Sequence, residues 1–73
     1  TYIELQMPVT ANVTIKLYDI IGKEIATLKN ELLFPGQHKI DVIAAVDTRL
    51  SFGQYIYRIT TGGQNYSKSI LIK

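Results

Sequence analysis

The feature that most constrains the fold is an alternation of apolar and polar residues that recurs along the chain. Its clearest example is "VTIKLYD", in which Val13, Ile15 and Leu17 alternate with the polar residues Thr14 and Lys16. A period of two residues places successive side chains on opposite faces of an extended backbone. The pattern therefore predicts a β-strand with one buried face and one solvated face.

The same alternation recurs in short segments that turn residues separate. The predicted strands are "YIELQM", "VTIKLYDI", "EIATLK", "HKIDVIA", "QYIYRITT" and "YSKSILI". Pro8 is expected to end the first strand, because proline cannot donate to a ladder. Turns are expected around Gly22, at Pro35–Gly36 and at Gly62–Gly63. Short antiparallel strands with one apolar face predict an all-β fold, a β-sandwich of about six to seven strands.

Two stretches leave alternatives open. "KEIATLKNELL" has partly helical spacing and good helix formers, but the surrounding strands favour a strand there, of uncertain phase. "AAVDTRL" is interpreted as a connection, with a seventh strand as the alternative.

Size and composition indicate one small domain over residues 1–73 that packing alone must stabilise. The 73 residues include no cysteine, so no disulfide can cross-link the fold, and 47% are apolar. The apolar runs are too short to span a membrane. Since the chain begins with threonine and carries no signal peptide, we expect it to be a piece of a longer protein.

The basic residues are dispersed, which argues against a nucleic-acid partner despite a net charge of +2. The distribution of charge along the chain is nevertheless asymmetric, because no acidic residue follows Asp47. Four basic residues do follow it: Arg49, Arg58, Lys68 and Lys73. This region is interpreted either as an ordinary solvated face or as a basic surface that meets an acidic partner.

No motif for catalysis is present. His38 is the single histidine, and no carboxylate near it has the spacing of a metal-ligand set. No serine lies in a G-x-S-x-G motif, and Gly62–Gly63 lacks the following helix of a phosphate-binding loop. The sequence predicts a protein that is not an enzyme and that uses no metal or cofactor.

Two longer stretches resemble a known family. "VTIKLYDIIGKEIATLKNELLFPGQHKIDV" carries an alternating strand that ends in Tyr-Asp, a Gly-Lys-Glu-Ile-Ala-x-Leu segment, a Pro-Gly turn and a histidine. "LSFGQYIYRITTGGQNYSKSILIK" carries L-x-x-G-x-Y-x-Y-R-I, a glycine hairpin and a terminal K-x-I-L-x-K strand. Together they resemble the type IX secretion C-terminal sorting domain, type A, of exported proteins in Bacteroidetes. An N-P-F lead-in and a W-D-G loop, which other members carry, are absent.

The resemblance implies an Ig-like β-sandwich and no catalysis. It also implies that the domain directs an N-terminal cargo domain of the same chain through the type IX secretion system and across the outer membrane. The implied partners are the translocon, an outer-membrane shuttle and a sortase that removes the domain, with membrane contact only through this machinery. The implied destination is the cell surface or the extracellular medium.

The last predicted strand ends at the chain terminus, so we expect it to offer unpaired backbone groups at a sheet edge. A partner can bind such an edge by strand addition, while lysines orient the encounter. The residues expected to contact the secretion machinery are Gly53, Tyr55, Tyr57, Lys68, Ile70, Leu71 and Lys73.

Two other functions remain open at this stage. The chain is alternatively a structural Ig-like module of a large secreted enzyme or adhesin. It is alternatively a carbohydrate-binding module, which requires Tyr55 with Tyr57, or Tyr18 with Tyr66, to form an exposed aromatic platform.

Overall fold

The computed structural model describes residues 1–46 and 49–73, which form six β-strands and one short helix. All six predicted strands are present, and all strand pairs are antiparallel. The elements are β1 (Tyr2–Met7), β2 (Ala11–Asp19), β3 (Glu24–Leu33), β4 (Gly36–Asp41), α1 (Val42–Ala45), β5 (Gly53–Thr61) and β6 (Gln64–Ile72).

The strands form two sheets of unequal width. The small sheet has the order β1–β4, and the large sheet has the order β3–β2–β5–β6. Strands β3 and β4 follow each other in the chain but lie in different sheets, so the predicted turn at Pro35–Gly36 joins the two layers. Gly36 has a φ of 121°, a conformation that favours glycine. The arrangement confirms the predicted all-β sandwich.

The core lies between the two sheets and contains only apolar side chains among the described buried residues. Strand β2 lies inside the large sheet, and Val13, Ile15 and Leu17 have no solvent exposure. The small sheet contributes Ile3 and Ile40, which are direct partners across the β1–β4 ladder. The alternation in the sequence therefore predicts the buried face of these strands correctly.

The pairing of β3 with β2 is irregular, which is why the sequence does not show which residues of β3 face the core. Its pairing with β2 shifts twice, so that Leu28 and Ile25 are extra residues without a partner on β2. Each β-bulge resets the alternation of side chains along the strand. The apolar residues therefore fall three apart, which imitates helical spacing although the segment is a ten-residue strand.

The predicted fourth strand is wrong at its end. The alternation of "HKIDVIA" placed Ile40 and Val42 on one strand, but β4 ends at Asp41 and Val42 begins α1. The Asp41 carboxylate accepts hydrogen bonds from Ile43 N at 3.1 Å and Ala44 N at 3.3 Å, which caps the helix. Val42 is fully buried, but it belongs to a helical turn.

The stretch "AAVDTRL" begins in α1, and none of its described residues forms a strand. Asp47 and Thr48, within this stretch, lie outside the described residues. Over the described ranges, no helix has the length and apolar character needed to cross a membrane.

Candidate recognition surface

Strands β5 and β6 form a regular hairpin at one edge of the large sheet. Gly62 and Gly63, with φ values of 57° and 77°, form the turn between them. Two consecutive positive φ angles are typical of a type I′ turn, whose twist matches that of a hairpin. Nine residue pairs follow from Thr61 with Gln64 to Gly53 with Ile72, with no shift in register. Strand β6 is the last strand of its sheet, so its second edge has no strand partner among the described residues.

The position of the turn shows which backbone groups of β6 point toward that free edge. The two residues that flank a two-residue turn face each other as a hydrogen-bonded pair, and antiparallel pairs then alternate between bonded and non-bonded. Even-numbered residues of β6 therefore bond to β5. The odd-numbered residues direct their N–H and C=O groups outward: Asn65, Ser67, Ser69 and Leu71.

Most of the predicted recognition residues lie close together on the face of this hairpin that points toward the small sheet. Tyr55 lies opposite Ile70, and Tyr57 lies opposite Lys68. Leu71 lies on the other face of β6, where its side chain is half exposed. The predicted residues therefore belong to one hairpin but are divided between its two faces.

Tyr55 and Gly53 support the start of β5. The Tyr55 hydroxyl donates a hydrogen bond of 2.8 Å to the carbonyl of Ser51, four residues upstream. This contact resembles the tyrosine corner of Ig-type sandwiches, in which a tyrosine fastens the chain that enters a strand. Gly53 has a φ of 145°, in the range that favours glycine. These contacts position the hairpin.

The basic residues of the hairpin differ in their partners. The Arg58 guanidinium lies 5.3 Å from the centre of the Tyr18 ring, an intramolecular cation–π contact on the outer face of the sheet. Lys68 and Lys73 are exposed, and neither forms an ion pair with another described residue. These two side chains therefore place positive charge at the surface of the hairpin.

The structure does not support the predicted carbohydrate platforms. Tyr18 faces Ile56 and Tyr66 faces Ile59 in the ladders, so the two tyrosines lie on opposite faces of the sheet. Tyr55 and Tyr57 lie on one face, but both are partly buried against the core. Neither pair forms an exposed aromatic surface.

The hairpin contains no cluster that suggests metal binding, and neither does the rest of the described chain. Over residues 1–46 and 49–73, no three His, Asp or Glu side chains lie close enough to hold an ion. The distinctive feature of this surface is its backbone edge.

Sequence reasoning missed the serines of β6 as edge residues. Their backbone groups face outward because of the hydrogen-bond phase that the Gly62–Gly63 turn sets, and this signal was present in the sequence. It also missed the position of β1 beside the hairpin, because strand order across two sheets does not follow from alternation.

The chain was compared with known proteins. A family model described as the secretion system C-terminal sorting domain matches residues 1–73. A search of curated proteins and a search of solved structures found no match. The family match covers the whole chain, and the motifs that resemble the family lie on the strands and turns described above. The chain therefore belongs to the secretion system C-terminal sorting domains, which are non-catalytic signals for type IX secretion.

Proposed function

We propose that residues 1–73 form the sorting domain of a longer exported protein, and that the secretion machinery recognises the free edge of β6. The regular, unshielded backbone of β6 carries this proposal. Four outward-facing residues, from Asn65 to Leu71, each offer a donor and an acceptor. An extended segment of a partner can add to such an edge and extend the sheet.

The side chains of the hairpin give this edge direction and specificity. Lys68 and Lys73 attract an acidic segment and set its orientation, whereas Ile70 and Leu71 offer apolar contact on the two faces. Gly53, Tyr55 and Tyr57 hold the strand beside β6 in place. These seven residues are the proposed recognition site.

Family membership implies contact with secretion machinery and passage through the outer membrane. Within that role, we assign recognition to the translocon and to an outer-membrane shuttle, and removal of the domain to a sortase. The cargo is an N-terminal domain of the same chain, which is released or attached at the cell surface. The domain meets the membrane only through this machinery.

Export of a reporter protein tests the proposal. The domain is fused to the C-terminus of a secreted reporter in a host with type IX secretion, and residues 66–73 are deleted. We expect export to stop. Because truncation also removes the buried Ile72, the variant Ser69→Pro is tested in parallel. It removes one outward N–H of β6 and leaves the bonds to β5 in place.

A matched control places the same change on another strand. Gln37 is an exposed residue of β4, and Gln37→Pro should leave export unchanged. Thermal unfolding of each fusion establishes that the domain remains folded. Export of a folded Ser69→Pro fusion at the level of the Gln37→Pro fusion would contradict recognition at β6. Export of the truncated fusion would contradict the sorting function itself and favour a structural module.

A further inference from the structure

The unequal widths of the sheets leave part of the sandwich uncovered. Two strands cannot cover a sheet of four, and β1 is the strand of the small sheet that lies beside β6. All residues of β6 from Gln64 to Ser69 are exposed, although half of them lie on the face that points toward the small sheet. A third strand next to β1 would cover this face.

Two clefts occupy the space where that strand would lie, one after the other along β1 and β6. The first has a volume of about 450 Å³ and an apolar lining that includes Leu5, Met7, Ile59 and Tyr66. The second has a volume of about 550 Å³, and its lining includes Ile3, Tyr57, Lys68 and Ile70. Ile3 and Leu5 are two residues apart, which is the spacing of successive side chains on one face of a strand.

The hydrogen bonds of β1 show that its edge toward the clefts is open. Val42 N donates to Thr1 O at 3.0 Å, so this pair continues the β1–β4 register as a hydrogen-bonded pair. Because bonded and non-bonded pairs alternate, odd residues of β1 bond to β4. Tyr2, Glu4 and Gln6 therefore direct their N–H and C=O groups away from β4, toward the side where a third strand would lie.

The charged residues around the second cleft indicate which kind of peptide segment it would bind. Lys68 lies on its floor without an ion-pair partner among the described residues. Lys39 and Glu4 also line the cleft and face each other across the β1–β4 ladder, and Lys39 Nζ lies 4.4 Å from the centre of the Tyr2 ring. A carboxylate opposite Lys68 would supply the missing partner.

We propose that the groove between β1 and β6 accepts an extended segment of a secretion-machinery protein, which pairs with β1 as a third strand of the small sheet. The segment spans about five residues, the length over which β1 offers outward groups. It places one apolar side chain level with Leu5 and one Asp or Glu level with Ile3, facing Lys68. This site uses the edge of β1 and not the outer edge of β6, although it shares Lys68 with the seven proposed recognition residues, and its role rests on the proposed sorting function.

A pair of matched proline variants tests strand addition to β1. Gln6 and Gln37 face each other across the small sheet, and both belong to non-bonded pairs. Gln6→Pro removes an N–H that points into the groove, whereas Gln37→Pro removes one that points away on the far edge of β4. We expect Gln6→Pro to lower export of the reporter fusion about tenfold relative to Gln37→Pro. Equal export of the two folded variants would overturn the proposal.

A charge variant keeps the test decisive if Gln6→Pro does not fold. Lys68→Glu places a negative charge on the floor of the groove, and Lys23→Glu makes the same change in the exposed turn between β2 and β3. We expect only Lys68→Glu to reduce export, again about tenfold. Equal export of these two variants would also overturn the proposal.

Photocrosslinking identifies the occupant. A photoreactive residue at position 6 should crosslink to an acidic, otherwise apolar segment of a machinery protein, and an Asp or Glu to Lys change in that segment should restore export of the Lys68→Glu fusion. A crosslink to a second copy of the domain, or failure of this restoration, would contradict the proposed occupant.

If deletion of residues 66–73 stops export while the groove variants do not, the groove proposal fails and the sorting function stands. If the truncated fusion is exported, the sorting function fails.

Discussion

The two edges of the large sheet, β3 and β6, are built in opposite ways. Strand β3 has two register shifts, at Leu28 and Ile25, whereas β6 pairs with β5 over nine residues without interruption. On the inner face of β3, opposite the buried Ile15 and Val13, Lys29 and Glu31 form an ion pair at 3.0 Å. The corresponding face of β6 borders an apolar groove.

Bulges and inward-facing charges are two of the devices by which proteins protect a sheet edge from unwanted strand addition. Strand β3 has both. Strand β6 pairs without a bulge, and its outward-facing residues from Asn65 to Leu71 include no proline or charged residue. Its one inward-facing charge, Lys68, has no ion-pair partner among the described residues. The difference indicates that the edge of β3 is less suited to strand addition than the edge of β6.

Substitutions at the two ends of β6 should have the largest effects and should differ sharply from each other. Ile72 has 1% of its surface exposed, whereas Tyr66 is 54% exposed. Ile72→Ala should lower the free energy of unfolding by about 2–5 kcal/mol, because it opens a cavity in the core. Tyr66→Ala should lower it by less than about 1 kcal/mol. Urea denaturation measures both, and similar losses would show that β6 is not anchored mainly at its C-terminal end.

The turns that lead to the two edges offer a second comparison. The Asp19 carboxylate accepts hydrogen bonds from Ile21, Gly22 and Lys23 N at 3.0, 3.0 and 2.9 Å, so one side chain holds the β2–β3 turn. The β5–β6 turn relies on the positive φ angles of its two glycines, and a hydrogen bond of 2.7 Å from Thr60 Oγ1 to Asn65 Oδ1 joins the strands beside it.

We expect Asp19→Ala to destabilise the fold by about 1–2 kcal/mol, through loss of these hydrogen bonds to the carboxylate. Gly63→Ala should cost about 1 kcal/mol, because alanine resists a φ of 77°. Thermal unfolding of the two variants checks this order. A neutral Asp19→Ala variant would show that Gly22 alone sets the first turn.

The same two strands show how much the sequence could predict. Alternation identifies β2 and its buried residues, because a strand inside a two-layer sandwich has one face fully covered. It identifies the residues of β6 but not their burial, since exposure there depends on the width of the opposite sheet. That width is set by pairing between β1 and β4, which are distant in sequence.

In β3 the alternation itself fails, because each bulge adds one residue to the period. The extra residues, Leu28 and Ile25, both contribute to the core, so they cannot be distinguished from regular strand positions without the partner strand. The seven proposed recognition residues could be chosen from the family resemblance, but the groove beside β1 could not, since no local pattern records which strands lie next to each other across the sandwich.

Removing the ion pair between Lys29 and Glu31 of β3 should have the smallest effect on stability, but it should increase self-association of the domain. Lys29 and Glu31 have side chains that are 32% and 56% exposed, and pairs of this kind contribute little to folding. The double variant Lys29→Thr/Glu31→Thr should change the free energy of unfolding by less than about 1 kcal/mol. It should, however, remove both charges from the inner face of β3 and make the free edge of this strand more suitable for pairing. Sedimentation velocity should therefore detect more dimer than in the unchanged chain.

The matched control is Lys16→Thr/Glu24→Thr, which removes an ion pair of 3.2 Å between β2 and β3 on the outer face of the sheet. If only the inner-face variant associates, charges that point inward protect this edge; if both remain as monomeric as the unchanged chain, the two register shifts are sufficient to close it.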